Sequence, residues 1–159
     1  MALLPGCAGY RLGPSNGMAA GDKSMLIRPF ANETLEPRLT DAVTTELRRE
    51  VQRDGTFRLS AESDADITVT GVITRYNRRE MSLSPTDTLT VRDYRVTLTA
   101  LVTARERSTG RVLAERRPVT GSALIRVGSD LASSERQVLP VLAADLAKNI
   151  TSLLADGSW

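Results

Sequence analysis

The sequence has no histidine and a single cysteine, Cys7. A His–Cys zinc site therefore cannot form, and an intramolecular disulfide would need a second cysteine. A histidine general base is also excluded. Because no nucleophile–base pair or metal-ligand set stands out elsewhere, we expect a protein that is not an enzyme and that needs no cofactor or metal.

Long apolar runs are also missing, and none approaches the roughly 18 residues that indicate a membrane span. The chain has 159 residues, of which 41% are hydrophobic. A chain of this length suits one domain and can bury about 68–70% of the surface that it exposes when unfolded. We therefore expect one folded domain that is soluble apart from any lipid anchor.

Lysine is scarce, since only Lys23 and Lys148 occur among 21 basic residues and the other 19 are arginines. The net charge of +2 is too small to indicate nucleic-acid binding, so no nucleic-acid partner is expected. Arginine presents a planar fork that binds phosphate and carboxylate through paired hydrogen bonds. A GC-rich genome would explain the same excess, and composition does not separate the two explanations.

The N-terminal segment Leu4-Pro5-Gly6-Cys7 resembles a bacterial lipobox, in which the cysteine is acylated. Only six residues precede Cys7 and none is basic, whereas a signal peptide has a basic region and an apolar stretch. We therefore expect residues 1–22 to comprise a truncated signal peptide and lipobox followed by a flexible, glycine-rich tether. The alternative is an incidental cysteine that acts as a small hydrophobic residue.

Two segments repeat apolar residues at helical spacing. The first begins near Pro37, ends at Gly55, and has an apolar stripe formed by Leu39, Val43, Leu47 and Val51. The second runs from about Leu131 to Asp156. Pro140 should bend this helix or start a new one. Its predicted stripe is Val138, Leu142, Leu146, Ile150 and Leu153.

The remaining segments predict strands at 23–30, 56–60, 65–76, 91–105 and 111–127. Residues 31–36 form a predicted turn, 77–90 a long hairpin loop, and Pro118 marks an edge or bulge. Alternation of apolar and polar residues indicates a sheet covered on one face. We therefore expect residues 23–159 to form a single α+β domain. This is a two-layer sandwich, with two amphipathic helices packed on one face of a mostly antiparallel four- to five-stranded sheet.

Five arginines flank the predicted hairpin loop and form a candidate binding site. If the flanking strands pair, these residues gather at one end of the sheet, where they could hold phosphate groups. The alternative is a solvated hairpin end that discourages aggregation through the sheet edge. The five residues are Arg75, Arg78, Arg79, Arg92 and Arg95.

Several short segments occur in a characteristic order: GCAGYRLG at 6–13, IRPFANET at 27–34 followed by Glu36-Pro37, RDGTF at 53–57, DAD at 64–66 with Gly71, and AADLA at 143–147. In this order, over nearly the whole chain, they resemble the LptE family of lipopolysaccharide-assembly lipoproteins. The Pro-Phe-x-Asn-x-Thr stretch is also similar to lipoproteins of the CsgG and LpoB kind.

The LptE resemblance implies two helices on a four-stranded sheet and a lipid anchor at Cys7, which would hold the protein on the periplasmic side of the outer membrane. It further implies a protein that plugs the LptD β-barrel, assists its assembly, and contacts lipopolysaccharide on the way to the outer leaflet. The five arginines are then candidate lipopolysaccharide-binding residues. The alternative is an LpoB- or CsgG-like periplasmic lipoprotein that acts as an activator or adaptor of a cell-envelope complex.

Overall fold

The computed structural model describes residues 19–83, 91–126 and 131–157. Their elements, in chain order, are β1 (Ser24–Ile27), β2 (Ala31–Asn32), α1 (Leu39–Asp54), β3 (Arg58–Ser60), β4 (Ile67–Leu83), β5 (Val91–Glu106), β6 (Val112–Arg126) and α2 (Leu131–Ala155). The two helices pack against each other and against the sheet. The predicted α+β class, with helices on one face of the sheet, is confirmed.

The sheet has the strand order β3-β1-β4-β5-β6, and the short β2 also pairs with β4. The long strands β4, β5 and β6 are antiparallel neighbours. β1 instead lies parallel to both β3 and β4. A parallel pair needs a long crossover connection, and α1 provides it between β1 and β3. The sheet is therefore mixed but mostly antiparallel, with six strands where four or five were expected.

Helix α1 buries the predicted stripe, because Leu39, Val43, Leu47 and Val51 are each at most 1% exposed. Gly55 ends the helix in the left-handed conformation, with φ 76°, and its N–H donates to the Val51 carbonyl at 3.1 Å. Glycine adopts this conformation without the steric cost that a side chain would add. Both the helix face and its C-terminal end were therefore predictable from spacing.

Helix α2 continues through Pro140, so no second helix begins there. Pro140 lies on the exposed side of α2, where water can replace the hydrogen bond that proline cannot make. The predicted stripe is wrong at its last position, since Leu153 is half-buried and Leu154 is fully buried. Leu139, Ala143 and Ala147 are also buried, which makes the apolar face wider than the predicted stripe.

Among the described helices, α2 alone has the length and composition of a membrane span, over Ser133–Ala155. Much of this segment is buried within the domain. The central residues Leu142, Leu146 and Ile150 are each 0% exposed. Packing in the domain core is therefore enough to account for its apolar composition.

The first predicted strand, 23–30, is shorter than expected and is limited to β1, and residues 31–32 form β2 rather than part of a turn. Strict alternation would put Phe30 on the face opposite Met25 and Ile27, yet all three are at most 1% exposed. Its ring fills the space above Gly71, where an added Cβ would lie 2.2 Å from the ring. The break in alternation between the two short strands turns Phe30 into the core.

Strand β4 extends to Leu83, so residues 77–83 are not part of a loop as predicted, and residues 84–90 lie outside the described part of the chain. Ile73 pairs with Ala100 but Arg75 pairs with Thr99, which leaves Thr74 as an extra residue in the strand. Such a bulge exchanges the two faces of the strand beyond it. Tyr76 consequently packs against the core, whereas strict alternation along 65–76 would put it on the threonine-rich face of the strand.

Strand β6 is an edge strand, and Pro118 lies within it opposite Leu101. The register shifts between the pairs Val102–Arg117 and Ala104–Ala114. At this shift Arg116 has a φ of 44°, and its N–H donates to Thr103 Oγ1 at 3.2 Å. The predicted association of Pro118 with an edge or a bulge is confirmed, and both features occur.

Candidate functional site: the open face of the sheet

The sheet face opposite the helices carries a polar surface that we call the open face. Its central part consists of three cross-strand rows from β4, β5 and β6. Along each strand, the residues of these rows alternate with the buried residues that face the helices. The rows are Arg75–Thr99–Thr120, Asn77–Thr97–Ser122 and Arg79–Arg95–Leu124.

Arg79 and Arg95 are direct cross-strand partners, and both side chains are exposed. Like charges at directly opposite positions destabilise a sheet. Among the described residues no carboxylate forms an ion pair with either of them or with Arg75. The open face therefore carries positive charge that the described part of the protein leaves available for an anion.

Hydroxyl and amide groups lie between the two charged rows. Arg75 and Arg79 are four residues apart on β4, which corresponds to roughly 13 Å along a strand. Asn77 and Thr97 form the row between them. Within the Arg75 row itself, the Thr99 and Thr120 hydroxyl oxygens lie 3.5 Å apart across the strands. This arrangement offers arginine donors at both ends of a polar stretch, which suits a ligand with anionic groups and sugar hydroxyls.

Arg78 lies on the other face of the sheet, because the bulge at Thr74 places it on the side of Tyr76. Its guanidinium forms an ion pair with Glu135 of α2 and lies 5.4 Å from the centroid of the Tyr94 ring. These contacts join the extended β4–β5 hairpin to the start of α2. The charge of Arg78 is thus already partnered inside the molecule.

The five candidate arginines are therefore not brought together as one cluster. Arg75, Arg79 and Arg95 share the open face, and Arg78 lies on the opposite face. The backbone of Arg92 belongs to β5, but its side chain lies outside the described part of the structure. A bulge was the feature missing from the prediction, since one inserted residue leaves no clear mark in an alternating sequence.

Helix α2 holds the edge strand of this surface in place. The Ser122 N–H donates to Asp145 Oδ2 at 2.8 Å, and Asn149 Nδ2 donates to the Thr120 carbonyl at 2.8 Å. Gly121 lies between these contacts, and an added Cβ there would be 2.5 Å from the Leu146 backbone nitrogen. The helix thus occupies part of an edge that would otherwise be open to another strand.

Hydrogen bonds and an ion pair hold the beginning of the domain at the end of the sheet that lies away from Arg79 and Arg95. Asp66 Oδ2 accepts hydrogen bonds from the Ser24 N–H at 2.8 Å and the Ser24 hydroxyl at 2.7 Å, and these bonds lower the pKa of Asp66. The Lys23 ammonium lies 2.5 Å from Glu106, and the Thr109 hydroxyl donates to the same carboxylate at 2.6 Å. These contacts lower the pKa of Glu106.

Cys7 and most of the predicted tether lie outside the described residues. At the end of the tether, the Gly21 N–H donates to the Thr56 carbonyl at 3.0 Å. Within the described part of the chain, no group of three or more Cys, Asp or Glu residues is arranged to hold a metal ion.

Residues 23–154 match the model of the LptE family, which is described as lipopolysaccharide-assembly. The chain belongs to the LptE family. The match covers most of the sequence, and the resemblance drawn from the short segments is confirmed. LptE membership places the protein among the lipoproteins of the bacterial cell envelope, with a role in lipopolysaccharide assembly. No curated protein sequence matches the chain at a significant level.

Solved structures with little sequence identity share the fold of this LptE-family chain. Protein XCC0632 from Xanthomonas campestris has a TM-score of 0.65 at 11% identity, over 94% of this chain and 93% of that one. Protein CT253 from Chlamydia trachomatis has a TM-score of 0.59 at 12% identity, over 86% and 96% of the two chains. Lipoprotein B from Nitrosomonas europaea has a TM-score of 0.52 at 11% identity, over 94% and 88%.

Proposed function

We propose that the protein is a non-enzymatic lipoprotein that plugs an LptD-like β-barrel, assists its assembly, and contacts lipopolysaccharide during transport to the outer leaflet. In this proposal Cys7 carries the lipid anchor, and the domain faces the periplasm at the outer membrane. Family membership supports the assignment to lipopolysaccharide assembly. The observation that supports direct contact with lipopolysaccharide is the arginine surface of the open face.

The proposed contact uses Arg75, Arg79 and Arg95. Lipopolysaccharide carries phosphate groups attached to sugars, and arginine binds phosphate through charge-assisted hydrogen bonds. A phosphate near Arg79 and Arg95 would also relieve the repulsion between these opposed cations. Asn77, with the hydroxyl groups of the adjoining rows, would bind sugar hydroxyls.

The other two predicted arginines have different positions in this proposal. Arg78 holds the hairpin against α2 through Glu135 and Tyr94, so we assign it to shaping the surface rather than to the ligand. Arg92 remains a candidate on sequence grounds alone.

Co-purification tests the proposed partner. The lipid-anchored chain is expressed from its native gene with an affinity tag, and the membranes are solubilised in mild detergent. We expect an outer-membrane barrel of the LptD kind to co-purify at a fixed ratio. Recovery of a penicillin-binding protein in place of a barrel would contradict the proposal and support the activator or adaptor alternative.

A further inference from the structure

The turn that follows β2 presents a leucine to solvent. The side chain of Leu35 is fully exposed, at 103% of its reference area, whereas the other exposed large hydrophobic residues described are at 49–65%. A single exposed leucine is common in folded proteins and needs no explanation by itself. Two further features distinguish Leu35, namely the rigidity of its turn and the cavity beside it.

Hydrogen bonds fix the turn on both sides of Leu35. Asn32 Oδ1 accepts from the Thr34 N–H at 3.0 Å and from its hydroxyl at 2.8 Å, and Asn32 Nδ2 donates to the Glu36 carbonyl at 2.7 Å. The Glu33 N–H donates to the Ile73 carbonyl of β4 at 2.9 Å. Leu35 is therefore held in one position before any partner arrives, so little backbone entropy remains to be lost on binding.

A cavity of about 430 Å³ lies beside the leucine. It is lined by the turn itself and by the β4 residues Thr74, Arg75 and Tyr76. Glu33 and Glu36 bring two carboxylates to this lining, against the single cation of Arg75. The surface thus combines an apolar projection with an adjacent hollow whose balance of charge is negative.

We propose that this turn and cavity form a contact site for a protein partner. Leu35 enters an apolar hollow on the partner, and a basic side chain of the partner enters the cavity between Glu33 and Glu36. Inside the cavity the two carboxylates outnumber Arg75 and argue against an anionic lipid as the occupant, because like charges repel. The opposed arginines Arg79 and Arg95 are not part of this lining. The inference rests on the proposed function, in that we take the partner to be the β-barrel that this protein plugs.

The test uses the full lipid-anchored chain, co-expressed with the barrel encoded in the same genome, and measures the barrel recovered per molecule of tagged protein. Leu35→Asp should lower recovery about tenfold or more, as expected for a central interface anchor. Leu35→Met, which keeps an apolar side chain, should retain recovery. Val141→Asp introduces the same charge at an exposed apolar residue of α2, away from the open face, and should have little effect. Circular dichroism confirms that each variant is folded.

The outcomes separate this inference from the proposed function. If the barrel co-purifies with the wild-type chain and equally well with Leu35→Asp, the contact site is wrong and the proposed function stands. Equal losses in Leu35→Asp and Val141→Asp would also overturn the assignment to this turn. A wild-type chain that recovers no barrel contradicts the proposed function and this inference with it.

Discussion

Arg79 of β4 stands directly opposite Arg95 of β5 on the open face of the sheet, and no described carboxylate forms an ion pair with either. A sheet gains nothing in stability from such a pair, since like charges in opposed positions repel. An anionic ligand gains two adjacent guanidinium groups. This relationship connects the fold to the proposed contact with lipopolysaccharide.

The core prediction concerns the two helix stripes. Leu47 of α1 and Leu146 of α2 are each 0% exposed, so Leu47→Ala and Leu146→Ala should each lower the free energy of unfolding by about 2–5 kcal/mol. Denaturant unfolding followed by circular dichroism measures the loss. Leu35→Ala is the matched control, because Leu35 is fully exposed and its truncation should cost almost nothing. A loss below about 0.5 kcal/mol at both buried positions would contradict the helix packing described above.

The prediction for the sheet edge concerns Gly121. Gly121→Ala should lower the free energy of unfolding by about 1–3 kcal/mol, because the added Cβ would press on the Leu146 backbone and force α2 away from β6. The same denaturation experiment measures the change. Ser122→Ala is the control, since Ser122 is exposed and its contact with α2 is made by its backbone N–H. A neutral effect of Gly121→Ala would show that the helix does not lie this close to the strand.

The pH prediction concerns Asp66 and Glu106, whose pKa values are held below their ordinary values of 3.8 and 4.5. Each carboxylate binds protons more weakly in the folded state than in the unfolded chain. Their stabilising contribution is therefore complete above the ordinary pKa and is lost as the pH falls toward the lowered one.

Thermal midpoints measured from pH 7 down to pH 3 test this dependence. The wild-type midpoint should fall most steeply below about pH 4.5, where these two groups begin to take up protons. Asp66→Asn and Glu106→Gln should each be less stable at pH 7 and show a shallower fall. Wild-type and variant curves with the same slope would exclude these two carboxylates as the source.

The anchor prediction concerns Cys7. In a protein expressed from its native gene, Cys7→Ser should move the chain from the membrane fraction to the soluble fraction. Each acyl chain contributes about 0.8 kcal/mol for every buried CH₂ group, and loss of acylation removes this affinity. Fractionation and immunoblotting measure the distribution. Equal membrane association of both forms would show that acylation at Cys7 is not what holds the protein.

The parts of the fold that follow a regular period were predictable from the sequence. Leu39 and Leu47 lie where helical spacing placed them, and Val96 and Leu98 alternate as strand residues should. The failures occur where the period is interrupted. Thr74 adds one residue to β4, and Phe30 follows the end of β1, so strict alternation puts both Tyr76 and Phe30 on the wrong face.

The candidate site was likewise predictable only where the sequence pattern is regular. Sequence position brought the five arginines to one hairpin, and the register does place Arg79 opposite Arg95. The bulge sends Arg78 to the opposite face, where Glu135 from a distant part of the chain meets it. Such a partner, 57 positions away, is selected by packing of α2 on the sheet and has no local signal in the sequence.

The proposed contact between lipopolysaccharide and the open face can be measured as a binding affinity. The double variant Arg79→Glu, Arg95→Glu is compared with Arg49→Glu, Arg53→Glu on α1, which makes the same change in net charge away from the open face. Both are made in the Cys7→Ser background and checked for folding by circular dichroism. We expect the open-face variant to bind purified lipopolysaccharide about tenfold or more weakly, while the α1 variant binds nearly as well as the parent. Parental binding should also weaken as salt rises. A folded open-face variant that binds as tightly as the parent, or equal losses in both variants, would contradict the claim.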